Sequence, residues 1–115
     1  MTMTLDGVTF VLTGDAEEKV WTNIAGSIPR NTSVFKVPHH GSKNGFFDRN
    51  NNALWLNHCP VETLFGVSSH IRPCSHPDPE VVAELPRESV YRTDEHYHVT
   101  FTTDGSTVGV KYSHF

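Results

Sequence analysis

Three short apolar runs, each ending in a cluster of polar residues, constrain this chain more than any other feature. Residues 8–12 (VTFVL) close on Thr13-Gly14-Asp15, and residues 33–37 (SVFKV) close on Pro38 and then His39-His40-Gly41-Ser42. Residues 61–67 (VETLFGV) lead into a stretch rich in Ser, Pro and His over 68–77. Runs of this length, rich in Val and Phe and bounded by Gly and Pro, predict buried β-strands. Pro38 supports the second boundary, because it has no N–H to give to a ladder.

Helical signals alternate with these runs. Residues 16–25 predict a helix with Glu17 and Glu18 in its first turn, where carboxylates complement the dipole, and with Val20, Trp21 and Ile24 on one face. Gly26 and Pro29 end it. Asp78-Pro79-Glu80 opens another helix through Leu85, with Pro79 where a missing N–H does no harm. Residues 46–56 admit a short helix through Phe47, Ala53, Leu54 and Leu56, against which Asn50, Asn51 and Asn52 argue. Leu5-Asp6-Gly7 predicts a turn. Residues 90–92, 98–102 and 107–112 predict strands, with Asp104-Gly105 as the strongest hairpin signal. The order β-α-β-(α)-β-α-β-β-β is that of an α/β fold, in which ligands gather just beyond the carboxyl ends of strands.

Composition narrows the function classes. The 115 residues suffice for one small domain or for part of a larger fold. A net charge of −4 excludes the global basic field of a typical DNA-binding domain, so contact with nucleic acid has to be local or metal-mediated. No apolar run approaches the roughly 18 residues that span a bilayer. The first residues, MTMTLDGVTFVLTG, lack the basic start and apolar stretch of a signal peptide, so a soluble and cytoplasmic chain without membrane contact is expected. Cys59 and Cys74 form neither a disulfide framework nor a C-x-x-C knuckle; they read as free buried thiols, with a single bridge between them left open. Eight histidines are many for this length, and histidine is both metal ligand and proton carrier near neutral pH.

Each polar cluster offers chemistry and a plainer alternative. Asp15, delivered at a strand end behind Gly14, can bridge two cations, or it can cap the following helix. Of His39 and His40, whose side chains diverge, one can face a metal with the other behind it, or the pair can be exposed and idle. Ser42 offers a hydroxyl to a bound anion. His76, on the last loop before a helix, can contact a phosphate or donate a proton, or face solvent. His96 and His98 alternate on a predicted strand, but two ligands without a third rarely hold metal, which assigns them to the surface.

Taken in order, FVLTGDAEE, FKVPHHGSKNGF, SHPDPEVVAEL and VYRTDE resemble the C-terminal half of the ComEC family of metallo-β-lactamase-fold proteins, over roughly residues 8 to 109. VPHHGS is the most specific block. The resemblance implies an α/β architecture, half of an αββα sandwich with a mixed sheet flanked by helices, and a seam holding two zinc ions, or manganese. It matches Asp15 to the bridging aspartate of the family's TGD. It matches one histidine of HHGS, His40 in our reading with His39 beside it, to the last metal-binding histidine, so that Asp15 and His40 would be catalytic. His76 matches the histidine of a Tyr-Gly-His-Pro element on the substrate side, although Pro73-Cys74-Ser75 stands here before it. Ser42 would also lie on the substrate side.

The family's H-x-H-x-D-H is absent from residues 1–115, and with it most metal ligands. Two readings follow. One is a metal-dependent hydrolase directed at DNA or another phosphodiester, complete only with an N-terminal half, which a second chain would supply or of which residues 1–115 are the continuing fragment. The other is a non-catalytic remnant or interaction subunit, its open seam covered by a partner or by a second copy.

Overall fold

The apolar runs pair into one sheet. The computed structural model describes residues 1–16, 20–21, 25–48, 50, 52–53, 55–69, 77–96 and 98–113. Strands β1 (Thr2–Leu5), β2 (Val8–Val11), β3 (Thr32–Lys36), β4 (Leu64–Val67) and β5 (Val90–Arg92) lie side by side in chain order. β1 is antiparallel to β2 across the turn at Asp6-Gly7, while β2 to β5 are mutually parallel. A separate antiparallel pair, β6 (His98–Thr103) and β7 (Val108–Ser113), completes an α/β chain with a mixed five-stranded sheet. Among the described residues, no helix is long and apolar enough to cross a membrane.

Parallel neighbours that step the same way three times need crossovers of one hand, which puts every connection on one face. That face carries the core. Phe35, Val37, Phe65 and Val67 meet Trp21, Ile28, Phe46, Trp55, Val81 and Leu85 there, all of them buried. Phe35 and Trp55 stack with ring centroids 4.5 Å apart. The Trp55 indole N–H donates to the Gly45 carbonyl at 3.2 Å, so this ring is wholly buried without an orphaned donor. Burial of a ring such as Phe35 contributes about 1.5–3 kcal/mol.

Val34, Leu64 and Gly66 alternate with the core residues and face the other way. The β6–β7 hairpin lies over them. Phe101 comes within 3.2 Å of where a side chain at Gly66 would begin, and Tyr91 meets Phe101 edge-on at 5.7 Å. The Gly7 N–H donates to the Gly105 carbonyl at 3.0 Å, tying the hairpin turn to the first turn of the sheet. Val34 on this face is 4% exposed. The exposed apolar residues Met3 and Leu5 lie instead on the edge strand β1.

Several elements differ from the sequence reading. β1 was not expected. The short helix expected within 46–56 forms earlier, as α1 (Lys43–Phe46), because the Asp48 carboxylate takes the N–H groups of Asn50 and Asn52 at 2.8 and 2.9 Å and turns the chain. β4 begins at Leu64, since Thr63 N–H bonds back to the Pro60 carbonyl at 3.1 Å and leaves Val61 in the preceding turn. Val20 and Trp21 are helical but do not share a buried face, being 42% and 4% exposed; residues 17–19 and 22–24, with Glu17, Glu18 and Ile24, lie outside the described residues. The second expected helix, α2 (Pro79–Glu84), is present, with the Asp78 carboxylate accepting the Glu80 N–H at 2.9 Å. His96 closes a further turn, α3 (Thr93–His96), so it does not alternate with His98 on one strand. His98 itself is exposed, as expected.

The expected hairpin turn is built on Asp104, whose carboxylate accepts the N–H groups of Thr107 and Ser106, both at 2.9 Å. These bonds hold its pKa at about 2, below the ordinary 3.8. A depressed carboxyl stabilises the turn above its ordinary pKa and loses that contribution as pH falls through the folded value. Between pH 5 and pH 1, the Ser106 and Thr107 amide signals should move with a midpoint near 2. A midpoint at the ordinary carboxylate value, or no titration, would contradict this geometry.

Candidate metal centre

The described parts of the polar clusters meet at the carboxyl ends of the parallel strands. After β2 the chain turns at Gly14, and the Thr13 hydroxyl donates to the Lys36 carbonyl at 2.6 Å, joining the ends of β2 and β3. After β3, Pro38 leads into a tight turn in which His39 (φ 50°), His40 (φ 57°) and Gly41 (φ 81°) all adopt left-handed backbone. The two histidines cost about 1–2 kcal/mol each in that conformation. The turn is tied on both sides: the His39 N–H donates to the Gly14 carbonyl at 3.0 Å, and the Gly41 carbonyl accepts the Asp78 N–H at 2.9 Å. α1 packs against the same turn, since a side-chain carbon at Gly45 would lie 2.8 Å from the His39 Cβ and 3.0 Å from the Ala16 carbonyl.

This backbone separates the two imidazoles. His40 Nδ1 lies 2.7 Å from the Ser68 carbonyl, which can only accept, so Nδ1 carries the proton. Its Nε2 lies 3.5 Å from Asp15 Oδ1, both side chains being partly exposed. His39 has its Nδ1 2.6 Å from the Ser42 hydroxyl and its ring centre 6.5 Å from that of His40. Ser42, expected beside a bound anion, is 4% exposed, and its oxygen accepts the Gly45 N–H at 3.3 Å as the cap of α1. His76 lies outside the described residues, while its neighbour Pro77 is buried against Gly41.

The His40–Asp15 spacing bears on what can sit there. In neutral His40 the Nε2 lone pair faces carboxylate lone pairs, which is repulsive unless a positive charge intervenes. A proton shared by imidazolium and carboxylate brings N and O to about 2.7–2.9 Å. Two ligands of one tetrahedral ion, each at about 2.0–2.1 Å, lie about 3.3 Å apart. The observed 3.5 Å is close to the second spacing and is equally that of a loose surface ion pair; a carbonyl bond at the opposite ring nitrogen is how ligating histidines are commonly oriented. The donors number two. Among the described residues, no group of three or more His, Cys, Asp or Glu side chains is placed to hold a metal.

Other residues at these strand ends were not singled out from sequence. Ser68, whose carbonyl orients His40, is fixed by its neighbour: Ser69 N–H donates to the Thr93 hydroxyl at 2.9 Å, which returns a bond to the Ser69 carbonyl at 2.8 Å. The Ser69 hydroxyl donates to Asp94 at 3.2 Å, and Asp94 is gripped by the Arg92 guanidinium at 3.1 and 2.7 Å. Burial pushes the Asp94 carboxyl up, but the Arg92 fork, aided by Ser69, holds it below its ordinary value. Lys36 places a half-buried ammonium within the electrostatic reach of Asp15; burial lowers its pKa and the Asp15 charge opposes that shift. A lysine alternating outward in an otherwise apolar strand just before HHGS was the available signal. Cys59 is a free thiol pushed up to about 12 by burial, unsuited to bind metal as thiolate. Cys74 lies outside the described residues.

Comparison with protein-family models, with curated proteins and with solved structures gave no match to this chain.

The left-handed turn makes a sharp expectation at Gly41, where an added Cβ would sit 2.6 Å from Pro77 Cβ at φ 81°. Gly41→Ala should destabilise the fold by about 2 kcal/mol or more. At Gly26 nothing lies within 4 Å of an added Cβ, and Gly26→Ala should change stability by less than about 1 kcal/mol. Urea midpoints of the two variants measure this; equal midpoints would show that the turn does not dock as described.

Proposed function

We propose that this chain is the second half of a ComEC-like metal-dependent hydrolase of the metallo-β-lactamase fold, directed at phosphodiesters such as DNA and active together with an H-x-H-x-D-H half. The observation that carries this reading is the facing pair at 3.5 Å, His40 Nε2 with its lone pair free of Nδ1 and the Asp15 carboxylate. The order of TGD, HHGS, SHPDP and VYRTDE along the chain supports it, as does a parallel sheet that gathers the described members of those segments at one end.

Within this reading Asp15 and His40 would hold a zinc or manganese ion. When bound, such an ion lowers the pKa of coordinated water toward neutrality and polarises a phosphoryl oxygen. The residues of this chain do the rest. The Ser68 carbonyl fixes the tautomer and orientation of His40, and the Ser69–Thr93 and Arg92–Asp94 bonds keep Ser68 in place. Lys36 keeps a cation near Asp15, where a phosphodiester carries its negative charge. Two donors fall short of the three protein ligands of a catalytic zinc site, so the N-terminal ligands are required for tight binding.

A second reading, an interaction subunit without catalysis, is favoured by the lack of a third ligand among the described residues. The two are separated by assembling the chain with an H-x-H-x-D-H half and measuring zinc content and cleavage of bis(p-nitrophenyl) phosphate. Asp15→Ala and His40→Asn, the latter chosen because Asn tolerates left-handed backbone, should each lower zinc-dependent cleavage about a hundredfold or more. Because both side chains are substantially exposed, the melting temperature should stay within a few degrees. Unchanged zinc content and turnover in both variants would sink the hydrolase reading.

A further inference from the structure

The two faces of the sheet are closed in different ways. On one face the aromatic core is filled from several segments of the chain, whereas the β6–β7 hairpin lies over the other. Val8 and Val34 are buried on that second face, apart from the aromatic core. Among the described residues the hairpin shares no ladder with the five strands, and its pairing is its own. Its sheet-facing residues are incompletely covered: Val99, Phe101, Val108 and Val110 stay half-buried. A cleft of about 340 Å³ separates Val108 from Ser33, Glu62 and Leu64 near the amino ends of β3 and β4. A close-packed interior leaves no gap of that size.

The hairpin is fastened at its two ends. It follows directly on α3, where Thr93 exchanges two bonds with Ser69 and the Arg92 guanidinium grips Asp94 at 2.7 Å and Glu95 at 2.8 Å. At the tip, the Gly7 N–H donates to the Gly105 carbonyl, and a side chain at Gly105 would begin 2.6 Å from an Asp6 carboxylate oxygen. Between root and tip, Phe101 seats on Gly66 and meets Tyr91 edge-on. We propose that β6–β7 is a strap across the second face of the sheet, rooted at α3 and latched at Gly105, which lifts while the aromatic core stays folded. Segments with few buried apolar contacts open at a lower free energy than the core, and a two-stranded hairpin adds little stability of its own. The strap thus controls when Val8, Val34 and Gly66 are open to solvent. None of these fastenings uses the side chains of Asp15, His39 or His40, so the strap does not depend on the hydrolase reading.

The test is thiol labelling of cysteines placed on the two faces of the full chain, in a Cys59→Ala, Cys74→Ala background. Val34→Cys lies under the strap, and Val37→Cys lies wholly buried in the aromatic core. With an aromatic disulfide reagent, well below the unfolding transition, Val34→Cys should react at least about a hundredfold faster than Val37→Cys. Gly66→Val places a wedge under the Phe101 ring, which lies 3.2 Å from the first added carbon, on a strand that favours a β-branched residue. It should speed labelling of Val34→Cys about tenfold and leave Val37→Cys unchanged. Phe101→Ala, which removes the seat without touching β4, should act in the same direction. Equal labelling of the two cysteines, or acceleration of both alike, would show that the hairpin opens only with the whole fold and would overturn the strap. So would labelling of Val34→Cys at the rate of an exposed thiol, or no response to either variant, since the hairpin would then not be seated through Phe101 and Gly66.

Discussion

Three consecutive residues in left-handed backbone, His39, His40 and Gly41, determine what the carboxyl end of the sheet presents. Two of them lack glycine's freedom, so the conformation persists only because its surroundings compensate. Those surroundings are specific: Gly14 accepts the His39 N–H, the Gly41 carbonyl takes the Asp78 N–H, and Pro77 fills the space that any side chain at Gly41 would need. β3 is held from below by Phe35 and Val37 in the aromatic core, so the turn starts from a rigid base. Strain of this kind is found where side chains must point in directions that ordinary backbone forbids, and here it sends neighbouring imidazoles to different partners.

The electrostatics follow from that placement. A carboxylate and an imidazole nitrogen face each other across 3.5 Å at a partly exposed strand end, a spacing shared by two ligands of one cation and by a loose surface ion pair. What keeps the imidazole in that tautomer is a carbonyl, and what keeps the carbonyl still is a set of bonds reaching into β5. Ser69 and Thr93 exchange two hydrogen bonds, and the buried end of the Arg92–Asp94 pair secures the loop further. Arg92, at the end of β5, and Thr93 and Asp94, in α3, thus influence the site from the next segment of the fold.

Much of this was legible in the sequence, for physical reasons. Apolar runs stopped by Gly, Pro or a polar cluster marked three of the parallel strands, the Asp78-Pro79 pair marked a capped helix, and Asp104-Gly105 marked the hairpin turn. The strand-end position of Asp15 and the HHGS turn followed from the same punctuation. Less legible was whatever depends on contacts distant in sequence. β1 is an exposed edge strand whose alternation, Thr2-Met3-Thr4-Leu5, is only four residues long, and Asp48 broke a helix through bonds to Asn50 and Asn52 that composition alone does not rank. That His39 and His40 bond different neighbours required knowing that residue 68 comes beside residue 40 while residue 42 caps a one-turn helix. Ser42, expected to offer its hydroxyl to a bound anion, is buried, and its oxygen caps α1 inside the turn.

The claim on which the functional reading depends is that Asp15 and His40 share a cation, and anomalous X-ray scattering at the zinc edge tests it most directly. A crystal of the chain assembled with an H-x-H-x-D-H half and grown with zinc should show an anomalous peak about 2.0–2.2 Å from both His40 Nε2 and Asp15 Oδ1, with His40 Nδ1 still bonded to the Ser68 carbonyl. No peak at that position, with Nε2 and Oδ1 closed to about 2.8 Å as a plain ion pair, would contradict it.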